Sequence, residues 1–329
     1  MRTKCSFLLF FFFILPLALA KLTPNFYSSS CPEAESIIFN VVQRRFNTDR
    51  SITGALLRMH FHDCFSGNVC DASILIDSTI RSQPEKDSGS NLTVRGYEII
   101  DEIKNAVEQK CPSTVSCADI IALATRDAVA LAGGLNYSLP TGRLDGLRSN
   151  ADEVNLPGTS LSVPNVLQMF AEKGFNTTET VVILGAHTVG VVHCSFFQDR
   201  LADSDMDPAF AQELSKACEA SSGSDDPMTN LDRGTPTSLD SQYYNQTLFK
   251  RGVLQIDQAL ALDASTHDIV AHFANDEDDF QLSFANVMVK LGSLQVLTDG
   301  QGEIRQNCRA FNRDNNANKP NRGRGLKRA

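Results

Sequence analysis

The chain has 329 residues, with 39 Asp and Glu against 30 Lys and Arg, a formal charge of −9, and no tryptophan. Setting aside a start of charge +2 (residues 1–20) and an end of charge +5 (residues 313–329) leaves a core of charge −16. That balance excludes an electrostatic nucleic-acid binder, and the core is long enough for one large domain or two tightly packed lobes.

The start, MRTKCSFLLFFFFILPLALA, joins basic residues to an apolar run that closes on Ala18 and Ala20, the pattern of a secretory signal peptide. The run from Phe7 to Leu19 is broken by Pro16 and falls short of the ~20 apolar residues a membrane span needs. Export suits the cysteines: without Cys5, eight remain, at 31, 64, 70, 111, 117, 194, 218 and 308, and their spacing alone leaves the pairing open. Sequons at Asn91, Asn136, Asn176 and Asn245 fit an exported glycoprotein. No internal repeat or long linker divides residues 21–312, and the polar, Arg- and Lys-rich end at 313–329 reads as a disordered tail.

Helical periodicity dominates the core. Ala34, Ile37, Ile38, Val41, Val42 and Phe46 mark a first amphipathic helix, and Ile52, Ala55, Leu56 and Met59 open a second that carries RMHFHDCF (58–65). Tyr97, Ile100, Ile103 and Val107 mark a third; residues 116–134 form a fourth, with Ser116 and Asp119 at capping-box separation and a Gly-Gly stop. Residues 162–174 have an N-cap serine, a proline in the first turn and a closing glycine. A short helix is expected at 177–187 and one long helix over 273–294. Period-two alternation is scarce, so the fold is expected to be mainly α with at most a small β hairpin.

On the second helix Arg58 and His62 stand four residues apart and share a face, while Asp63 and Cys64 turn away from it. A lone buried histidine is usually a satisfied core residue. An arginine on the same face argues otherwise, because burying a cation without use is costly.

With these residues in place, the chain resembles the class III, or plant secretory, haem peroxidases. RMHFHDCF is similar to the family's distal signature and LGAHTVGVVHC (184–194) to its proximal one. EKDSGSN (85–91), VRGYEIIDEIK (94–104), LPTGRLDG (139–146), DRGTPTSLD (232–240), YYN (243–245), GVLQIDQAL (252–260) and GEIRQNC (302–308) follow the family's order. The resemblance implies a fold with haem b between distal and proximal helical lobes. It implies His187 as the axial ligand of the haem iron, with Asp257 accepting from its other ring nitrogen. His62 would take a proton from hydrogen peroxide and return it to the departing oxygen; Arg58 would stabilise the charge developing as the O–O bond breaks. Asn91 would accept the other N–H of His62, with Glu85 supporting Asn91, and in that role Asn91 would be buried and its sequon unglycosylated. Phe61 would pack above the haem, while Pro140 and Phe196 would flank the entrance for reducing substrates.

The same resemblance implies disulfides Cys31–Cys111, Cys64–Cys70, Cys117–Cys308 and Cys194–Cys218. It also implies two Ca²⁺ ions. The proximal ion would use Thr188, Asp232, Thr235, Asp240 and the carbonyl of Ser238; the distal ion would use Asp63, Asp71, Ser73 and carbonyls taken by spacing as those of Ser66 and Val69. CFSGNVCD (64–71) is one residue longer than the family's usual loop, so weaker distal calcium binding is expected. The loop after Asn91 is one residue shorter, Leu144 replaces a second arginine, and Tyr137 lies near where a tryptophan is usual. The expected activity is one-electron oxidation of small phenols by a secreted, monomeric enzyme of cell wall, apoplast or vacuole. The basic tail would bind anionic wall polysaccharide or act as a sorting extension. Two rival readings are a wall-binding haem protein without turnover, which His62 and Arg58 speak against, and a haem-free calcium protein, which an absorption spectrum would separate.

Overall fold

The computed structural model describes residues 22–67, 69–80, 82–219 and 226–312; the expected signal peptide, the whole of the expected tail (313–329), residues 220–225, Asn68 and Arg81 lie outside them. Helix α1 (Ala34–Thr48) buries Ala34, Ile38, Val41, Val42 and Phe46, the stripe set by its sequence. Helix α2 (Ile52–Phe65) is followed by α3 (Tyr97–Lys110) and α4 (Cys117–Leu131). Helix α4 is the centre of this lobe. Nearly every one of its side chains is buried, and it packs on α1, α2 and α3. Its start is capped as expected, Ser116 Oγ accepting the Asp119 N–H, and Gly133 ends it with φ +99°.

The second lobe contains α5 (Val163–Glu172), α6 (Thr177–Leu184), α7 (Pro208–Glu219), α8 (Gln242–Leu248), α9 (Gln255–Leu262), α10 (His267–Asn275) and α11 (Glu277–Leu291). Strands β1 (Val191–His193) and β2 (Met228–Asn230) pair antiparallel, with Val191 opposite Asn230. The mainly α expectation holds. The β element is not a hairpin, however, because α7 lies between its two strands.

Three local expectations need correction. The helix expected over 273–294 is two helices, parted at Asp276 (φ −132°, ψ 85°), whose side chain caps α11 by accepting the Asp279 N–H. The helix expected at 177–187 ends at Leu184 and tightens into a 3₁₀ turn, Gly185–Thr188, that carries His187. Ser162 stands at the N-cap of α5 but its side chain makes no capping bond, whereas Asn176 and Glu179 form an unforeseen capping box on α6.

The lobes meet along α2, which touches both the Gly185–Thr188 turn and α11. At one crossing the approach is backbone to backbone: a Cβ on Gly54 would lie 2.6 Å from Gly190 Cα, and Gly190 itself has φ +102°. Only glycines allow this crossing without displacement, and it fixes the distal helix against the chain leaving His187. All four disulfides implied by the resemblance are present, Cys31–Cys111, Cys64–Cys70, Cys117–Cys308 and Cys194–Cys218.

Candidate active site

Helix α2 presents Arg58 and His62 side by side, Arg58 Nε–H donating to His62 Nε2 at 3.3 Å. On the other side of the ring, His62 Nδ1 lies 2.6 Å from Asn91 Oδ1. The Asn91 amide nitrogen donates to the Glu85 carbonyl at 2.7 Å, which turns the Asn91 oxygen towards the histidine. His62 therefore carries its proton on Nδ1 and leaves Nε2 as a free base. Burial, and then the Arg58 charge, lower its pKa to about 4, with the Asn91 bond opposing them. The two remaining nitrogens of Arg58 donate to the Thr93 and Ser90 carbonyls, at 3.3 and 3.1 Å. The backbone on both sides of Asn91 thus anchors the guanidinium.

Asn91 is 1% exposed, as its expected role requires, and leaves no room for a glycan on its amide. Glu85 supports it through the backbone. The Glu85 carboxylate turns the other way and accepts the Ser73 hydroxyl at 2.9 Å.

On the opposite side, His187 Nδ1–H donates to Asp257 Oδ1 at 2.8 Å, and the Tyr243 hydroxyl donates to that same oxygen at 3.0 Å. Burial lowers the His187 pKa, but the charge and hydrogen bond of Asp257 outweigh it and the net shift is upward. The His187 side chain lies deep in the protein yet keeps 29% of its surface accessible, so it borders an internal space. The Arg58 charge also acts on His187, opposing the upward shift that Asp257 causes. Phe61, next to His62, and Leu184 and Ala186, beside His187, keep apolar surface uncovered. A flat, largely apolar macrocycle with a metal to be ligated by His187 Nε2 fits this donor set and these walls.

Phe61 stacks on Phe65 and Phe170, with centroids 4.8 and 6.0 Å apart, which fixes its ring. Phe196 is 51% exposed and Pro140 half-buried. The Pro140 carbonyl accepts from Arg143, whose ion pair with Asp119 is fully buried.

Two clusters suit hard cations. Thr188 Oγ1 and Thr235 Oγ1 each lie 3.0–3.2 Å from both Asp232 Oδ2 and Asp240 Oδ1. Each hydroxyl has one proton, so half of these close oxygen contacts have none to share. A cation among the four oxygens would resolve them. The Ser238 N–H bonds to the Thr235 carbonyl. In the second cluster Asp63 Oδ1, Glu85 Oε2 and the Ser66 hydroxyl are buried with no partner among the described residues. Asp63 Oδ2 accepts the Ala72 N–H and Asp71 Oδ1 the Ser73 N–H. Burial, and then the charges of Asp71 and Glu85, raise the Asp63 pKa well above the carboxylate range, and burial raises that of Asp71. Among the described residues no three His, Cys, Asp or Glu side chains gather into a metal cluster. Any cation at either place would therefore need hydroxyl and carbonyl oxygens beside the carboxylates. Val69 borders Asn68, which is not described, and the Ser66 hydroxyl is buried.

A family model described as Peroxidase matches residues 38–276. The chain belongs to the peroxidase family. Peroxidase 44 of Arabidopsis thaliana is 51% identical over 313 residues, spanning 95% of this chain and 100% of the relative. Peroxidase 57 of the same plant is 50% identical over 317 residues, spanning 94% and 98% of the two chains. Peroxidase 28 is 48% identical over 320 residues, spanning 93% and 98%. With these relatives the peroxidase falls in class III, and it is a haem enzyme that uses hydrogen peroxide to oxidise reducing substrates.

Sequence reasoning missed three residues of this peroxidase's site. Tyr243 lies in YYN (243–245), where nothing in the sequence marks the role of its hydroxyl. Arg143 was not linked to Pro140. Arg305, 0% exposed, donates to the Asp71, Ala72 and Gly146 carbonyls beneath the second cluster.

Proposed function

We propose that this peroxidase is an exported, monomeric enzyme that oxidises small phenolic donors by one-electron steps. Residues 1–20 would be a cleaved signal peptide, 21–312 the catalytic unit and 313–329 a basic tail. Haem b, bound through His187 Nε2, would supply oxidation by peroxide in one two-electron event and its reversal by donors in two single-electron events. His62 Nε2 takes the peroxide proton and gives it to the departing oxygen; Asn91 keeps Nδ1 protonated, so Nε2 stays available. Arg58 supplies positive charge where the breaking O–O bond becomes negative. Asp257 holds the His187 ring in the tautomer that frees Nε2. Phenols would approach past Pro140 and Phe196, because the space beside His62 and Arg58 suits little beyond peroxide.

Two Ca²⁺ ions are proposed. One would bind Thr188, Asp232, Thr235, Ser238 and Asp240, and the other Asp63, Asp71 and Ser73 with the Ser66 and Val69 carbonyls. Cell wall or apoplast is the proposed location, with the vacuole as alternative, and anionic polysaccharide a partner for the tail. No helix among the described residues is long and apolar enough to cross a membrane.

The observation that carries this reading is His62 Nε2 held unprotonated beside Arg58, on the helix that touches the turn carrying His187. An absorption spectrum of the purified protein, paired with guaiacol oxidation by peroxide, tests it. A haem band and turnover support it; no haem band, or haem without turnover, overturns it.

A further inference from the structure

We propose that Tyr243 is a positioning residue for the proximal histidine, tempering how strongly Asp257 draws on the His187 Nδ1 proton. The proposal rests on the reading of His187 as haem ligand. Two donors meet on one oxygen: His187 Nδ1 at 2.8 Å and Tyr243 Oη at 3.0 Å, both on Asp257 Oδ1. Tyr243 is 4% exposed and Asp257 2%, so water competes little for that oxygen.

A buried phenol needs some acceptor, so the plain alternative is that Tyr243 merely satisfies its own hydroxyl. The neighbouring residue shows how that is done here. Tyr244, on the same helix α8, donates to the Val181 carbonyl at 3.1 Å and leaves the carboxylate alone. Tyr243 instead donates to the oxygen that takes the histidine proton, with its ring edge-on to His187 at 6.2 Å. Burial, and then the charge of Asp257, hold its phenol pKa well above the usual range, so it remains a donor.

The consequence follows from charge. A hydrogen bond to a carboxylate stabilises the anion and lowers its basicity. With Tyr243 donating, Asp257 pulls less on His187 Nδ1–H, and the imidazole keeps less anionic character. Its other nitrogen is then a weaker donor to a bound metal. Asp257 sets the strength of the axial ligand, and Tyr243 limits it.

The test uses the haem-loaded enzyme and two readouts that do not depend on turnover. These are the ferric/ferrous reduction potential and the iron–histidine stretching frequency of the ferrous form. Tyr243→Phe keeps the ring and removes the donor. The potential should fall, by on the order of tenfold in the ferric/ferrous equilibrium for a bond to a charged group, and the stretching frequency should rise. 3-Fluorotyrosine at position 243, a more acidic phenol and stronger donor, should shift both the other way; it keeps the test open should the phenylalanine variant fold poorly. Tyr244→Phe should move neither. An unchanged or raised potential in Tyr243→Phe, a fluorotyrosine shift of the wrong sign, or an equal shift in Tyr244→Phe overturns the proposal. Failure of the haem reading is distinguishable: His187→Ala would then leave the haem spectrum unchanged, or the wild-type protein would show none.

Discussion

His62 Nδ1 lies 2.6 Å from Asn91 Oδ1, and Asn91 in turn donates to the Glu85 carbonyl at 2.7 Å. The Glu85 peptide thus fixes which nitrogen of the histidine is the base. Burial and Arg58 hold its pKa at about 4. The rate of reaction with peroxide should therefore stay level through neutral pH and fall only below about pH 4, where Nε2 is protonated. The same shift acts on stability. The folded pKa lies below the ordinary ~6.5, so this contribution is complete above that value and lost as pH falls towards 4. A stopped-flow pH profile with its inflection near the ordinary histidine value would contradict this account.

The proximal pair should separate cleanly. His187→Ala is expected to lose or misligate haem. Asp257→Asn, which removes the negative acceptor of the 2.8 Å bond, should keep haem with a raised reduction potential. Spectroelectrochemistry checks this, and an unchanged potential in Asp257→Asn counts against the assignment.

Calcium should matter at a distance. Asp63 follows His62 directly, and Glu85 joins the Asp71–Ser73 cluster to Asn91. Chelation should slow peroxide cleavage while haem stays bound, and added calcium should restore the rate. Burial, and then Asp71, raise the Glu85 pKa to about 7. A carboxyl raised on folding adds stability at low pH and loses it as pH climbs through the folded value. The calcium-free protein should thus weaken between about pH 4.5 and 7, and calcium should cancel that loss. Melting temperatures with and without chelator should diverge as pH rises across this window; a constant gap would show that the carboxylates are not the binding site.

The two sharp features of the distal side were legible for a physical reason. Arg58 and His62 are four apart on a strongly apolar helix, so one periodicity placed both. The proximal arrangement was not legible from spacing, because His187, Asp257 and Tyr243 come from separate elements and only tertiary packing joins them; resemblance supplied the first two and neither source supplied the third. The break at Asp276 was hidden for another reason. Phe273, Phe280 and Phe284 keep helical spacing on either side of the acidic run 276–279, and an aspartate within such a run reads equally as helix interior or cap. Glu85 was expected to act on Asn91, and it does, but through a carbonyl that no side-chain pattern announces.

Residues 313–329 carry +5 against a core of −16, a contrast that suits binding of a polyanion rather than catalysis. Removing them should leave the guaiacol oxidation rate within about twofold of the full chain while weakening retention on pectin, a salt-sensitive effect of exposed charge. A collapse of the oxidation rate would show that the tail belongs to the catalytic unit.

The central claim is that His62, set by Asn91 and flanked by Arg58, moves the peroxide proton. Stopped-flow measurement of the peroxide reaction in His62→Ala, at haem occupancy matched to the parent, tests it most directly. A fall of at least ~10²–10⁴-fold, the scale of one acid–base group, with haem still ligated by His187 is the predicted result; an unchanged rate would contradict it.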